Sequence, residues 1–358
     1  MSHLNEFCST ARQYGRPEVA DTCLSRLGRV FDAYGSCIHS EGSKLNASLR
    51  LYLEDAKLKD AKGDFSAAIR TCKLVLGRLT ATGTNLDSKC IISDAAALCG
   101  QLTVESKIET GQSILEQYLK PAKVSAIEIY KKKQTKYSAI RVCQTSFSLA
   151  QFVASLYNDV KETMEGADWA QAGKQIKDKR IDLKLTYDTY EKTKKELDRQ
   201  GKAAKKSQSK TSEEEIQKVA NELRELRIHK MTLEKELQID MAERRAVEKS
   251  QDEYLLLAIK SFGSALSIYD PSNYSGDVSK HIFRMISLWF GNPSSSVNNL
   301  MQKYLSSIPT YLFMQLTYQI FARIDQASSN GSDFEGTLRN LVVRMCTDHP
   351  YHTLVPLI

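Results

Sequence analysis

Proline and glycine are scarce, seven and seventeen in 358 residues. Both gather at a few breaks, so little interrupts the chain and long helices are favoured over strands joined by turns. No apolar run approaches the roughly 18 residues a membrane-spanning helix needs. The N-terminus shows no basic stretch followed by an apolar one, so no secretory leader is expected. No two cysteines are spaced C-x-x-C. The eight, at 8, 23, 37, 72, 90, 99, 143 and 346, lie mostly among small apolar residues in helical patterns. That predicts core fillers in a reducing compartment, in a soluble cytoplasmic or nuclear protein.

Catalytic signatures are missing as well. Gly173-Lys174 stands in a helical pattern without the other glycines of a phosphate loop, and there is no kinase catalytic loop and no D-F-G to hold magnesium. Phosphoryl transfer by this chain alone is not expected. Fifty Lys and Arg against forty-three Asp and Glu give +7, but the two signs are interleaved, which argues for solubility more than for a nucleic-acid face. The densest basic cluster, Lys202, Lys205, Lys206 and Lys210, has no aromatic within it and acids beside it at 213 to 215. It reads as a solvated tip.

What is present is helical periodicity carried by 42% apolar residues, enough for a substantial core. The expected architecture is all-α: an irregular solenoid of antiparallel helix pairs over 1–160, a long charged helical hairpin over 161–270, and further apolar helices over 271–358. In the first part, breaks at Gly15-Arg16-Pro17 and near Gly35 separate helices. Ala56, the Gly63-Asp64 turn and Ala67-Ala68-Ile69 resemble one tetratricopeptide unit, where small residues let two helices approach closely. Pro121, inside the pattern 111–130, should kink or split that helix.

From Trp169 the apolar residues thin to a seam. Trp169, Ile176, Leu183, Tyr190 and Leu197 recur every seven residues. Beyond a polar link at about 201–211, Ile216, Val219, Leu223, Leu226, Leu233 and Leu237 keep the two-per-heptad spacing, with Lys230 interrupting it. Two such seams predict an antiparallel hairpin zipped like a coiled coil. Ser212 before three glutamates is a fitting start for the second arm. That arm has no Pro or Gly up to Phe262 and should run unbroken into the apolar stretch Tyr254–Tyr269, ending at Asp270-Pro271.

The C-terminal part reads as helix after helix with a broad apolar face. Pro309 fits a first helical turn, Leu312, Leu316 and Ile320 repeat every four residues, and Asp348 can cap a helix that has Pro350 early in it. Trp289 and Phe290 read as core. Cys346, His349 and His352 are spaced three apart, as zinc ligands can be, but lack an evident fourth ligand. Histidines at a helix start, bonded to backbone or a neighbour, are preferred.

The ordered series Ser287-Leu-Trp-Phe290, Ile308-Pro-Thr-Tyr311, Gln315-Leu-Thr-Tyr-Gln-Ile-Phe-Ala-Arg323 and Asp348-His-Pro-Tyr-His-Thr-Leu354 resembles the FAT segment of ATM-like phosphatidylinositol-3-kinase-related protein kinases. Upstream of about residue 280 the resemblance rests on helical arrangement. It implies a non-catalytic scaffold in a nuclear serine/threonine kinase that answers DNA double-strand breaks. The FAT helices would embrace the kinase domain of the same polypeptide and help form a homodimer, with other protein partners and without a membrane. No cofactor is expected in this segment; ATP and magnesium belong to the kinase domain. The implied kinase-packing surface is Asp348, His349, Tyr351, His352 and Leu354. Nothing kinase-like follows Ile358, and the apolar end Leu354-Val355-Pro356-Leu357-Ile358 asks for a neighbour, so the chain reads as a fragment or a truncated gene product. The alternative is a free-standing adaptor that binds a partner protein. An in-frame kinase-like stretch beyond Ile358 would separate the two.

Overall fold

The computed structural model describes residues 2–34, 41–80, 85–204, 210–272, 274, 276–324 and 332–357. Among them there is no strand. The first helices are α1 (Ser2–Gln13), α2 (Pro17–Tyr34), α3 (Glu41–Ala61), α4 (Phe65–Thr80) and α5 (Leu86–Ser106). Each packs on the next in sequence, which is what makes a solenoid. Gly15 and Gly63 take φ of +67° and +81° just past the ends of α1 and α3, the left-handed conformation that stops a helix and that glycine adopts without strain. After Gly63, Asp64 accepts a hydrogen bond from the Ala67 N–H at 2.9 Å and so caps α4. Ala56 and Ala68 are both fully buried, which lets the two backbones close up as the tetratricopeptide-like pattern predicted. Leu49, Leu53, Val75, Leu79 and Ile91 join three of these helices in one apolar cluster.

Pro121 does divide its helix. A short α6 (Gly111–Ile114) passes into a π-turn at Leu115–Leu119 and then α7 (Lys120–Lys132), with Pro121 in the first turn of α7. The wider turn takes up the missing N–H and relieves the ring's clash with the preceding turn. Three long helices follow, α8 (Lys136–Glu165), α9 (Ala167–Ala204) and α10 (Lys210–Leu266), and the last is 57 residues of unbroken helix. The α10 helix starts at Lys210, two residues before the expected start at Ser212. Of the basic cluster, Lys205 and Lys206 lie outside the described residues.

The chain forms two compact units, 1–156 with 255–358, and 157–254. In the second, α9 and α10 run antiparallel. Lys179 bonds to Asp240 at 2.8 Å and to Glu236 at 3.2 Å, and Lys230 lies 4.5 Å from the centroid of the Tyr187 ring and 5.6 Å from that of Tyr190. Lys230, the break in the seam, is thus held over two aromatic faces. Half-buried positions on α10 recur at 216, 219, 223, 226, 230, 233, 237 and onward to 247, the two-per-heptad spacing read from the sequence.

In the first unit, α10 from Leu255 on is deeply buried through Ala258, Ile259, Phe262, Ala265 and Leu266. It ends at Leu266, four residues short of the expected stop at Asp270-Pro271, where the Asp270 carboxylate accepts from the Ser272 N–H at 2.9 Å. Then come α11 (Ser279–Phe290), α12 (Ser295–Leu305), a 3-10 helix (Thr310–Leu316), α13 (Thr317–Ala322), α14 (Ser332–Asp348) and α15 (Pro350–Leu357). Two expectations are corrected here. Pro309 precedes a 3-10 turn and not an α-helix, so three residues per turn place Phe313 and Leu316 together in the core and leave Leu312 only half-buried. Asp348 closes α14, and His349 stands between α14 and α15, so Asp348 caps nothing.

Candidate functional site

The end of α14 and the start of α15 carry the residues the sequence singled out. Thr310, buried at the head of the 3-10 helix, donates its hydroxyl to Asp348 Oδ2 at 2.7 Å and lies 3.2 Å from His349 Nε2. The Thr353 hydroxyl, also buried, returns to the His349 carbonyl at 2.8 Å. Arg344 donates to the Leu305 carbonyl, tying α14 to the end of α12. Asp348, itself exposed, and half-buried His349 therefore meet buried threonines as a brace between three elements. The threonine hydroxyl is bonded to a carboxylate and closed to solvent, so this trio anchors and does not attack. Tyr351 is the opposite, 90% exposed, and His352 is exposed beside it. The side chain of Leu354 lies outside the described side chains. The structure thus splits the predicted surface into a brace and a bare edge. Among the described residues no three His, Cys, Asp or Glu side chains gather as metal ligands would, Cys346 with His349 and His352 included.

The cysteines have the chemistry of core fillers. Burial pushes the thiols of Cys8, Cys99 and Cys143 up to about 11 and that of Cys72 up to about 12, so none of these is a ready thiolate. The seven described cysteines are free. No helix among the described residues is long and apolar enough to cross a membrane.

Three features escaped the sequence reading. Lys123 on α7 is buried, bonded to the Ser261 hydroxyl at 3.0 Å, and pushed down to about 8 by burial and by Lys260. His281 at the start of α11 is buried and stacked on Phe147, with centroids 3.9 Å apart and planes 4° from parallel. Its Nδ1 has no hydrogen-bond partner, and burial, with Lys280, lowers its pKa to about 4. The Lys123 burial was signalled, since Leu119 and Ala126 put that lysine on an apolar stripe. The stacking of His281 left no local trace. The third feature is a basic groove on the hairpin.

No family model matches the chain. It is 27% identical over 363 residues to the serine/threonine-protein kinase ATM of Arabidopsis thaliana, a match that covers all of this chain. It spans 8% of that protein and 10% of the serine-protein kinase ATM of Sus scrofa. In fold it is similar to the FAT and kinase domain of CtTel1, at TM-score 0.63 and 18% identity over 99% of this chain and 20% of that one. It is similar also to the complete CtTel1 dimer with C2 symmetry, at TM-score 0.62 and 18% identity over 98% of this chain and 11% of that one. Sequence similarity to ATM kinases thus runs the whole length of the chain, and its helical fold is similar to that of the FAT and kinase domain of CtTel1.

Proposed function

We propose that this segment is a non-catalytic scaffold supporting and regulating the kinase domain of an ATM-like serine/threonine protein kinase. The observation that carries the reading is the similarity to an ATM kinase along the entire chain. The bare edge at the start of α15 supports it: Tyr351 is almost wholly exposed on a helix held from behind by the Thr310, Asp348 and His349 brace. An aromatic ring on a fixed support is suited to pack on a neighbour. In this reading the neighbour is the kinase domain of the same polypeptide, which alone takes ATP and magnesium. The whole protein then acts in the nucleus in the response to DNA double-strand breaks, as a homodimer built partly from these helices.

The test is made in the full-length protein expressed from its gene. Tyr351→Asp places a charge where a ring should dock, and phosphorylation of a protein substrate should fall about tenfold, the effect of losing one good interface anchor. Unchanged helix content, read by circular dichroism, separates this from misfolding. A variant as active as the parent would remove this edge from kinase support.

A further inference from the structure

The base of the hairpin carries an open groove of 570 Å³ between α9 and α10. Its floor is half apolar, made by Trp169, Ile176 and Met241, and its rim holds Lys174, Lys177, Arg180 and Arg245. All four rim cations are exposed, and none has a carboxylate within ion-pairing distance among the described residues. Arg180 is aimed across the groove, its guanidinium 3.2 Å from the Met241 sulfur.

The groove on the other side of the same hairpin makes the contrast. There Lys179, which lines it with Asp240 and Glu243, is answered by carboxylates at 2.8 and 3.2 Å. Neutralised charge on one side and unanswered charge on the other is not what a uniformly solvated hairpin shows.

The floor is also built. Arg244 lies over the Trp169 ring at 4.3 Å, reaches the Trp169 carbonyl at 3.4 Å and pairs with Glu248 at 3.2 Å. It fits there because residue 173 is glycine, where a Cβ would come within 2.8 Å of Arg244 Nη1. Arg244 so placed occupies one face of the indole, which weakens the case for a nucleic-acid base stacking there. The site offers charge at its rim and an apolar strip at its floor.

We propose that this groove docks an acidic peptide segment of a partner protein, with glutamates or aspartates meeting the four rim cations and an apolar side chain lying along Ile176 and Met241. Recognition is of the helix-groove kind, with long-range charge attraction bringing the peptide in. This is independent of the packing edge at Tyr351.

The test uses the 358-residue chain and a fluorescein-labelled peptide of about twelve residues, Glu-Glu-Leu-Glu repeated, followed by anisotropy. Saturable binding is expected, weaker as salt rises. The variant K174Q/K177Q/R180Q keeps good helix formers at exposed positions and should bind at least about tenfold more weakly. K179Q, on the opposite groove, should bind as the parent does. Tryptophan emission gives a second readout, because Trp289 is fully buried and Trp169 is only partly covered. A shift on peptide addition should disappear in the triple variant. The proposal is overturned by absent binding, by equal loss in K179Q and the triple variant, or by an oligo-dT strand displacing the peptide more effectively than unlabelled peptide does.

Discussion

Replacing Lys123 by methionine should stabilise this protein at neutral pH. The lysine is buried, its ammonium meets one hydroxyl, Ser261 Oγ at 3.0 Å, and Lys260 is close enough to oppose its charge. Its pKa falls from 10.5 to about 8. Between those values the unfolded chain binds the proton and the folded chain does not, so stability rises with pH through that window. Below pH 8 the cost of the buried charge is present almost in full. A shift of this size corresponds to roughly 3 kcal/mol at pH 7, falling to roughly 1 kcal/mol at pH 9.5. Methionine has a similar length and no charge to desolvate, and a helical serine can turn its hydroxyl to the carbonyl one turn back. The cysteines work in the opposite direction. Their thiols rise from 9.0 to between about 11 and about 12, so the folded state keeps protons the unfolded state has lost, and stability falls as pH rises above about 9. The informative quantity is therefore the difference between parent and Lys123→Met in urea denaturation at each pH. It should favour the variant by roughly 3 kcal/mol at pH 7 and shrink by roughly 2 kcal/mol on reaching pH 9.5. A variant less stable at pH 7, or a difference that does not change with pH, would refute the account of Lys123 as an uncompensated buried charge.

Asn298→Leu should cost about 2–3 kcal/mol in the same assay, because the Trp289 indole N–H, now 2.7 Å from Asn298 Oδ1 in the core, would be left without an acceptor. Gly263→Ala puts a Cβ within 2.6 Å of Tyr304 Cδ2 and should destabilise by about 1–3 kcal/mol; adding Tyr304→Ala should make the alanine at 263 nearly harmless, and strict additivity of the two would count against the clash. His281→Phe keeps the stack on Phe147 and removes the unpartnered nitrogen. The folded histidine titrates at about 4 against 6.5 unfolded, so the parent should lose stability as pH falls from 6.5 towards 4, and acid titration of the variant should lack that loss.

The parts legible in the sequence are those whose cause is local. The Gly63-Asp64 turn needs a left-handed residue and a capping carboxylate next to each other, and both stand in the chain. The hairpin was legible because its seam repeats every seven residues and each arm supplies half of it. The misreadings came where the deciding partner is far away in sequence. Thr310 claims the Asp348 carboxylate across 38 residues, which removes that side chain from capping α15. Lys123 meets Ser261 across 138 residues, and no window of one helix contains that meeting. Residues 310–316 fail for a different reason: Phe313 and Leu316 fit the three-residue turn, Leu312 and Leu316 fit the four-residue turn, and only the packed core decides between them.

Burial also differs sharply between the two units, with a consequence for opening. In 1–156 with 255–358, residues such as Leu102, Phe262 and Trp289 are fully sealed, each contributing on the order of 2–3 kcal/mol of transfer free energy. Within α9 and the part of α10 up to Tyr254, Ile176 alone is buried among the described side chains, while Ile181, Leu185, Ile228 and Ile239 are more than half exposed. A seam of half-buried residues supplies about half the transfer energy per position, and much of what remains is ion pairs that salt screens. Opening free energy should follow local burial, not helix length. Amides in 170–200 and 216–245 are therefore expected to exchange with deuterium well before those of α5, although their helices are the longer ones. Raising the salt should widen the gap, because the hairpin leans on charge and α5 on apolar burial. Equal protection across the three helices would mean that hydrogen bonds along a long helix, and not the surface it buries, set the local stability of this fold.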